Sequence, residues 1–177
     1  MRSFKDRMLG AAKFDVEVYE EVERDRTATG QAMLVVILSS LAAGVGTSSQ
    51  TGAAGILGSV FVALAAWFLW AVLTYLIGTR LLPEPQTRAD AGELLRTIGF
   101  SSSPGMIRVI GIVPALAGIS FAIAGVWMLG TMVVAVRQAL DYKSTWRAIG
   151  VCIIGWIIQA LILMLVFVVL GRPGNVP

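Results

Sequence analysis

The sequence predicts an all-α, polytopic integral membrane protein with five transmembrane helices and an amphipathic N-terminal cytoplasmic helical segment. Three observations predict it. Of the 177 residues, 56% are hydrophobic, and the mean hydropathy is +0.79. Only 14% are charged, against about a quarter in a soluble domain. Those charges are segregated, leaving the stretches Ala28–Gly46, Ala53–Gly78, Ser103–Ala117, Gly118–Val136 and Ala148–Leu170 almost free of ionisable side chains. About 20 apolar residues cross the roughly 30 Å of hydrocarbon as a helix. The domain organisation predicted is a helical segment at 1–27, a membrane domain at 28–170 and a short tail at 171–177.

The N-terminal segment reads as two amphipathic helical pieces. Phe4, Met8, Ala11 and Ala12 fall on one face of the first. Asp15 suits the cap of the second, because a carboxylate accepts from the free N–H groups of a helix start. Val16, Tyr19 and Val22 recur every third residue there, while Glu17, Glu20, Glu21 and Glu23 face elsewhere. The apolar stripe either lies at the headgroup boundary or packs on the ends of the spans. The charges are mixed in sign and precede no short apolar core, so the segment is not expected to be a cleaved signal peptide. Thr27 or Thr29 suits the cap of the first span.

The first span is expected to end at Gly44–Gly46 and to be joined to the second by an uncharged link at 47–52. Pro83 and Pro85 stop the second. Ala89–Ile98 reads as a short helix with Leu94, Leu95 and Ile98 on one face and Asp90, Glu93 and Arg96 elsewhere. The run Pro104–Val136 holds one charge, Arg108. As one straight helix it would be about 50 Å long, beyond any bilayer core. Pro114 removes a backbone donor near its middle, so a hairpin is expected, with a short third span turning near residues 113–119.

Basic residues support the hairpin. Arg2, Lys5, Arg7, Lys13, Arg24 and Arg26 precede the first span. Arg80, Arg88 and Arg96 follow the second, and Arg137, Lys143 and Arg147 follow the fourth. The link at 47–52 and the turn near Pro114 have none. Five spans put all three basic groups on one face, which the positive-inside rule makes cytoplasmic. The C-terminus then lies outside, and the expected location is the inner (plasma) membrane. This also accounts for the net charge of +3 without nucleic acid. Small residues four apart (Ala42 with Gly46, Ala54 with Gly58, Gly111 with Ala115, Ser120 with Ala124) permit close helix approach in lipid.

Little in the chain points to catalysis. It has no histidine and one cysteine, Cys152. Bis-His haem, HExxH zinc and Ser-His-Asp chemistry all need an imidazole, and one thiol makes no intrachain disulfide. No phosphate-binding loop, nucleophile elbow or EF-hand spacing occurs. The acidic run Glu17–Asp25 reads as a solvated helix face. No apolar stretch holds an acid, whereas coupled transporters ordinarily carry intramembrane carboxylates or broken helices. No enzymatic activity and no cofactor is expected.

The candidate functional residues are therefore contacts to lipid or to a partner. Arg108 is either a headgroup- or partner-binding cation or a side chain snorkelling to the interface. Gln159, midway along the last span, is expected to bond a neighbouring helix. Arg80, Arg137 and Lys143 flank the spans as basic contacts. The expected partners are the lipid bilayer and other membrane proteins or further copies of this chain.

Two stretches carry a family resemblance. ADAGELLRTIGFSSSPGMIRVIG (89–111) is similar to the Yip domain, named for Ypt/Rab-interacting membrane proteins: a short helix, a Gly-aromatic-small segment and a proline before the third span. Leu94, Leu95, Gly99, Phe100, Ser101 and Pro104 carry the match. The second stretch, VWMLGTMVVAVRQALDYKSTWRAIGVCIIGW (126–156), resembles compact bacterial members. The resemblance covers about residues 28–170. It implies five spans, a cytoplasmic N-terminus and, in eukaryotic relatives, binding of prenylated Rab GTPases. The longer N-terminal region and the acidic Tyr-Gly-Pro type motif of those relatives are missing here, so GTPase binding does not carry over. The leading expectation is a non-enzymatic organiser, scaffold or partner-binding module. An accessory subunit of a larger membrane complex and an oligomeric transporter or channel are the alternatives.

Overall fold

Two short helices precede the spans, α1 (Phe4–Ala12) and α2 (Val16–Arg24). The computed structural model describes residues 2–170, so the predicted tail at 171–177 and the placement of the C-terminus lie outside the described residues. Ser3 caps α1 by accepting from the Asp6 N–H, and Asp15 caps α2 by accepting from the Glu17 N–H. Phe14 turns the chain between them with a φ of 63°. The buried stripe of α2 is Val18, Tyr19 and Val22. Val16, placed on that stripe by its spacing, is 42% exposed. Val18 and Tyr19 lie four and three residues before Val22 and share its face, whereas Val16 stands at the first position of the helix. The stripe packs on protein, against α5 (Ala91–Ser101) and α6 (Pro114–Ala139).

Four helices are long and apolar enough to cross a membrane: Ala28–Gly46, Ile56–Leu81, Pro114–Ala139 and Thr145–Ile162. The first is α3. The second belongs to α4 (Ser48–Leu76), which loosens into a π-helical turn at Ile77–Leu81. The link expected at 47–52 contracts to Thr47, since the helix resumes at Ser48. The last is α7 (Thr145–Leu170). Leu57, Phe61, Val62, Ile119, Val126, Leu161 and Leu165 all point outward, as expected of side chains whose solvent is lipid.

The short third span expected at Ser103–Ala117 is not among these four helices and is built differently. It begins in α5 and continues as a 3-10 helix over Ser103–Ile112. Gly99 lies against Ala32, Gly105 against Ser39 and Gly111 against Gly46, so the leg climbs parallel to α3. Between Ala32 and Gly46, α3 rises about 21 Å. The leg matches that climb with fewer residues because a 3-10 helix rises about 2.0 Å per residue. Val113 is extended, and Pro114 opens α6 at its first turn, where a missing N–H costs nothing. The hairpin is thus real, and it turns at Ile112–Pro114, at the start of the stretch expected to hold the turn. Thr131 Oγ1 donates to Ser101 O at 2.8 Å, so α6 returns antiparallel to the leg.

The approach of this leg to α3 depends on glycine. A Cβ at Gly46 would sit 2.2 Å from the Arg108 carbonyl oxygen, and one at Gly99 would sit 2.7 Å from the Ala32 Cβ. Of the small pairs read from the sequence, Gly111 meets Gly46 across this interface, and Ser120 and Ala124 are buried. A Cβ at Gly58 would meet nothing within 4 Å, so Gly58 itself makes no such contact.

The three basic segments gather at one end of the bundle, with the N-terminal hairpin. Gln138 donates to Glu20 at 3.4 Å. Tyr142 Oη donates to Gly78 O and Leu82 O, joining the connection after α6 to the one after α4. Glu84 accepts from the backbone N–H groups of Lys143 and Ser144. Burial alone would raise the Glu84 carboxyl pKa, but these bonds, with those from Gln86 and the charge of Arg147, hold it below the ordinary range.

At the same end α5 starts on a reciprocal cap. Asp90 accepts from the Glu93 N–H, and the Glu93 carboxylate accepts from the Asp90 N–H. Asp90→Ala is expected to lower stability by about 1 kcal/mol, seen as a lower melting temperature in detergent. An unchanged melt would mean that packing alone sets the start of α5.

Candidate functional site

The inward faces of α3, α4, α5, the 3-10 leg, α6 and α7 enclose a cavity of about 260 Å³. It lies near the middle of the long helices, lined by Ser39 and Ser40 of α3, Trp67 and Trp70 of α4, and Met128 of α6. Arg108 and Gln159, singled out separately in the sequence, line it together.

Arg108 is held in place by neutral groups. Its Nε donates to Gly105 O at 3.0 Å, and its Nη2 donates to Ser39 Oγ at 2.7 Å. The guanidinium carbon lies 6.0 Å from the Phe121 ring centroid. The backbone of Arg108 meets Gly46, yet the guanidinium reaches back to Ser39, about 10 Å along α3 at the helical rise. It therefore points into the bundle instead of toward the nearer helix ends. Among the described residues it forms no ion pair with a carboxylate.

Two further side chains that line the cavity have donors without partners among the described hydrogen bonds. Trp70 is 5% exposed, and its Nε1 has no hydrogen-bond partner. Its six-membered ring edge lies against Gly155 of α7. The helix-to-helix bond expected of the Gln159 amide is absent among the described hydrogen bonds. Trp67, by contrast, donates to Leu95 O at 3.0 Å. A lone tryptophan N–H carries little signal in a sequence, because the acceptors that could satisfy it sit on other helices.

The hairpin end carries a second feature. Arg137 and Lys143 border one polar depression with Glu20, Glu23 and Asp141. The guanidinium of Arg137 donates to Tyr142 O, while Lys143 is exposed. Arg80 stands apart from both sites, exposed in the π-helical turn.

Two cations that fix this end were not singled out in the sequence. Arg7 is 1% exposed and donates to Glu21 Oε1 and Asp25 Oδ2 at 2.8 Å each, and to Gln31 Oε1 at 3.0 Å. The Arg7 bond holds the Glu21 carboxyl below the ordinary range, and the Thr27 hydroxyl, with Arg7, does the same for Asp25. Arg96, placed by its spacing on the open face of α5, is 5% exposed. Its guanidinium donates to the carbonyls of Val22 and Glu23, which end α2. A helix C-terminus leaves carbonyls without intrahelical donors, and the cation satisfies them.

Glu23 is the group here whose charge responds near neutral pH. Burial, then the carboxylates of Glu93 and Asp141, raise its pKa from 4.5 to about 7, with Arg24 opposing and Glu20 adding to the rise. A raised carboxyl pKa means that the folded state holds the proton more tightly. Its contribution is full below pH 4.5 and is lost as the pH rises through about 7. Glu23→Gln is expected to flatten this loss, gaining about 1 kcal/mol at alkaline pH once solvent screening is allowed for. Melting curves taken across that window test it. Parallel pH profiles for the two proteins would contradict it.

The sequence pattern of the Yip1 domain matches residues 16–167. The chain belongs to the Yip1 domain family. The Yip1 match starts at the first residue of α2 and reaches into the last turns of α7. It therefore takes in α2, the depression and every element that lines the cavity. Comparison with curated proteins and with solved structures gave no match.

Proposed function

We propose that this Yip1 family protein is a non-enzymatic membrane module that holds a protein partner at its hairpin end and so organises the membrane around it. What supports this reading is the joining of the hairpin to the bundle. Arg7 ties α1 to α2, to the link after α2 and to α3, and Arg96 ties α5 to the end of α2. A surface built from separate segments and fixed by buried charges is pre-ordered, which lowers the entropy cost of binding. The mixed charges of the depression at Glu20, Asp141 and Lys143 suit selection of a partner by complementary charge.

The same reading places the hairpin end in the cytoplasm and the chain in the inner membrane, since the three basic segments gather there and basic loops stay on the cytoplasmic side. The eukaryotic relatives' GTPase partner is not assigned to this chain.

Crosslinking in cells followed by purification in mild detergent tests the proposal. A defined partner should be captured, and Asp141→Lys with Lys143→Glu should abolish capture while the variant still folds and inserts. A partner retained at full stoichiometry by that variant would point to a subunit assembled through its spans. Solute flux in liposomes by the purified protein would replace the reading with a transporter or channel.

A further inference from the structure

The cavity and the outer surface of the bundle are continuous between α4 and α7. Ala66 and Gln159 line the cavity, and they also line an apolar groove of about 240 Å³ with Phe61, Leu69 and Ile162. Phe61 is 76% exposed, so the groove opens sideways, where lipid chains lie. Its floor is apolar, while the cavity behind it holds only neutral polar groups and one cation. An ionised guanidinium inside a bundle is costly unless a counter-charge reaches it. Among the described residues no carboxylate does. Gln159, which lines this space and makes none of the described hydrogen bonds, can donate its amide N–H groups to an oxygen anion.

We propose that this site binds one anionic lipid of the phosphatidic acid class, its phosphate on Arg108 and an acyl chain in the groove between α4 and α7. A compact phosphate monoester head suits a site whose one cation is Arg108 and whose lining has no carboxylate to hold the hydroxyls of an inositol or a sugar. A phosphate accepts charge-assisted bonds from guanidinium, which are the stronger kind. The groove lies beside the cavity at the same height, with Ala66 and Gln159 between them. The site is separate from the depression at Glu23 and Lys143, so this inference stands or falls independently of partner capture.

Native mass spectrometry of the full chain, titrated with phosphatidic acid, phosphatidylcholine or inorganic phosphate, tests it. One phosphatidic acid should bind per chain and persist where phosphatidylcholine is stripped. Arg108→Gln should weaken it about tenfold or more, as should Ala66→Phe, which closes the mouth. Arg80→Gln, the same charge change on the surface, should leave it unchanged. Should Arg108→Gln fail to fold, wild-type tryptophan quenching decides: brominated phosphatidic acid should quench more than brominated phosphatidylcholine, because Trp67, Trp70 and Trp156 line the cavity. Equal retention or equal quenching by the two lipids overturns the proposal. So do wild-type affinity in Arg108→Gln, and binding of inorganic phosphate with no lipid retained.

Discussion

Replacing Arg7 with alanine is expected to destabilise the protein by about 3 kcal/mol, the low end for breaking a buried ion pair. The size follows from what stays behind. Glu21 and Asp25 keep their charges, and Asp25 has a side chain only 8% exposed. The Gln31 carbonyl also loses its donor. Arg7→Lys should recover only part of the loss, because one ammonium cannot reproduce a planar fork that reaches acceptors on three separate segments. Two measurements check this: the melting temperature in detergent, and the rate at which protease cuts between residues 13 and 27. Both should change for Arg7→Ala, with α3–α7 keeping their helical signal. An unchanged cleavage rate would mean that Val18, Tyr19 and Val22 hold the hairpin unaided.

A single methyl group at Gly46 is expected to be as damaging. Gly46→Ala puts a Cβ 2.2 Å from a backbone oxygen of the 3-10 leg. No rotamer change relieves a clash between two backbones, so the leg must move away from α3, opening contacts along its length. Overpacking typically costs 1–3 kcal/mol, and about 3 is expected here because neither partner can yield. Gly30 and Gly118 provide the control, since a Cβ at either would meet nothing within 4 Å. Both are helical, so alanine there should be neutral or stabilising by up to about 1 kcal/mol. Opposite signs at Gly46 and Gly118, read from the folded fraction in gel filtration and from melting, confirm the close approach. Equal behaviour would remove it.

These two sites show what could be read in advance and what could not. The membrane class, the four long spans and the break before Pro114 follow from one-dimensional signals: runs without charge, a proline and the placement of arginines. The 3-10 leg was harder. Its ten residues are too few for a span in hydropathy terms, and its pitch is set by packing between α3 and α6. Arg7 and Arg96 were missed because each looks like any surface cation until its acceptors arrive from residues 14 to 74 positions away. Arg108 was legible as an oddity, one cation in an uncharged run. That its side chain joins Gln159 and Trp70 around one cavity depended on six helical segments meeting, which no local pattern encodes.

Five crossings of the bilayer are expected, with α5 and the 3-10 helix together as the third. Cys152 is the sole cysteine and is buried, so Cys152→Ala gives a clean background for single cysteines at Ser3, Val113 and Asp141. An impermeant maleimide applied to oriented vesicles should label Ser3→Cys and Asp141→Cys from one side and Val113→Cys from the other. Labelling of all three from the same side would contradict the crossing, and with it the shared end for the basic segments and the placement of the Arg108 cavity within the bilayer.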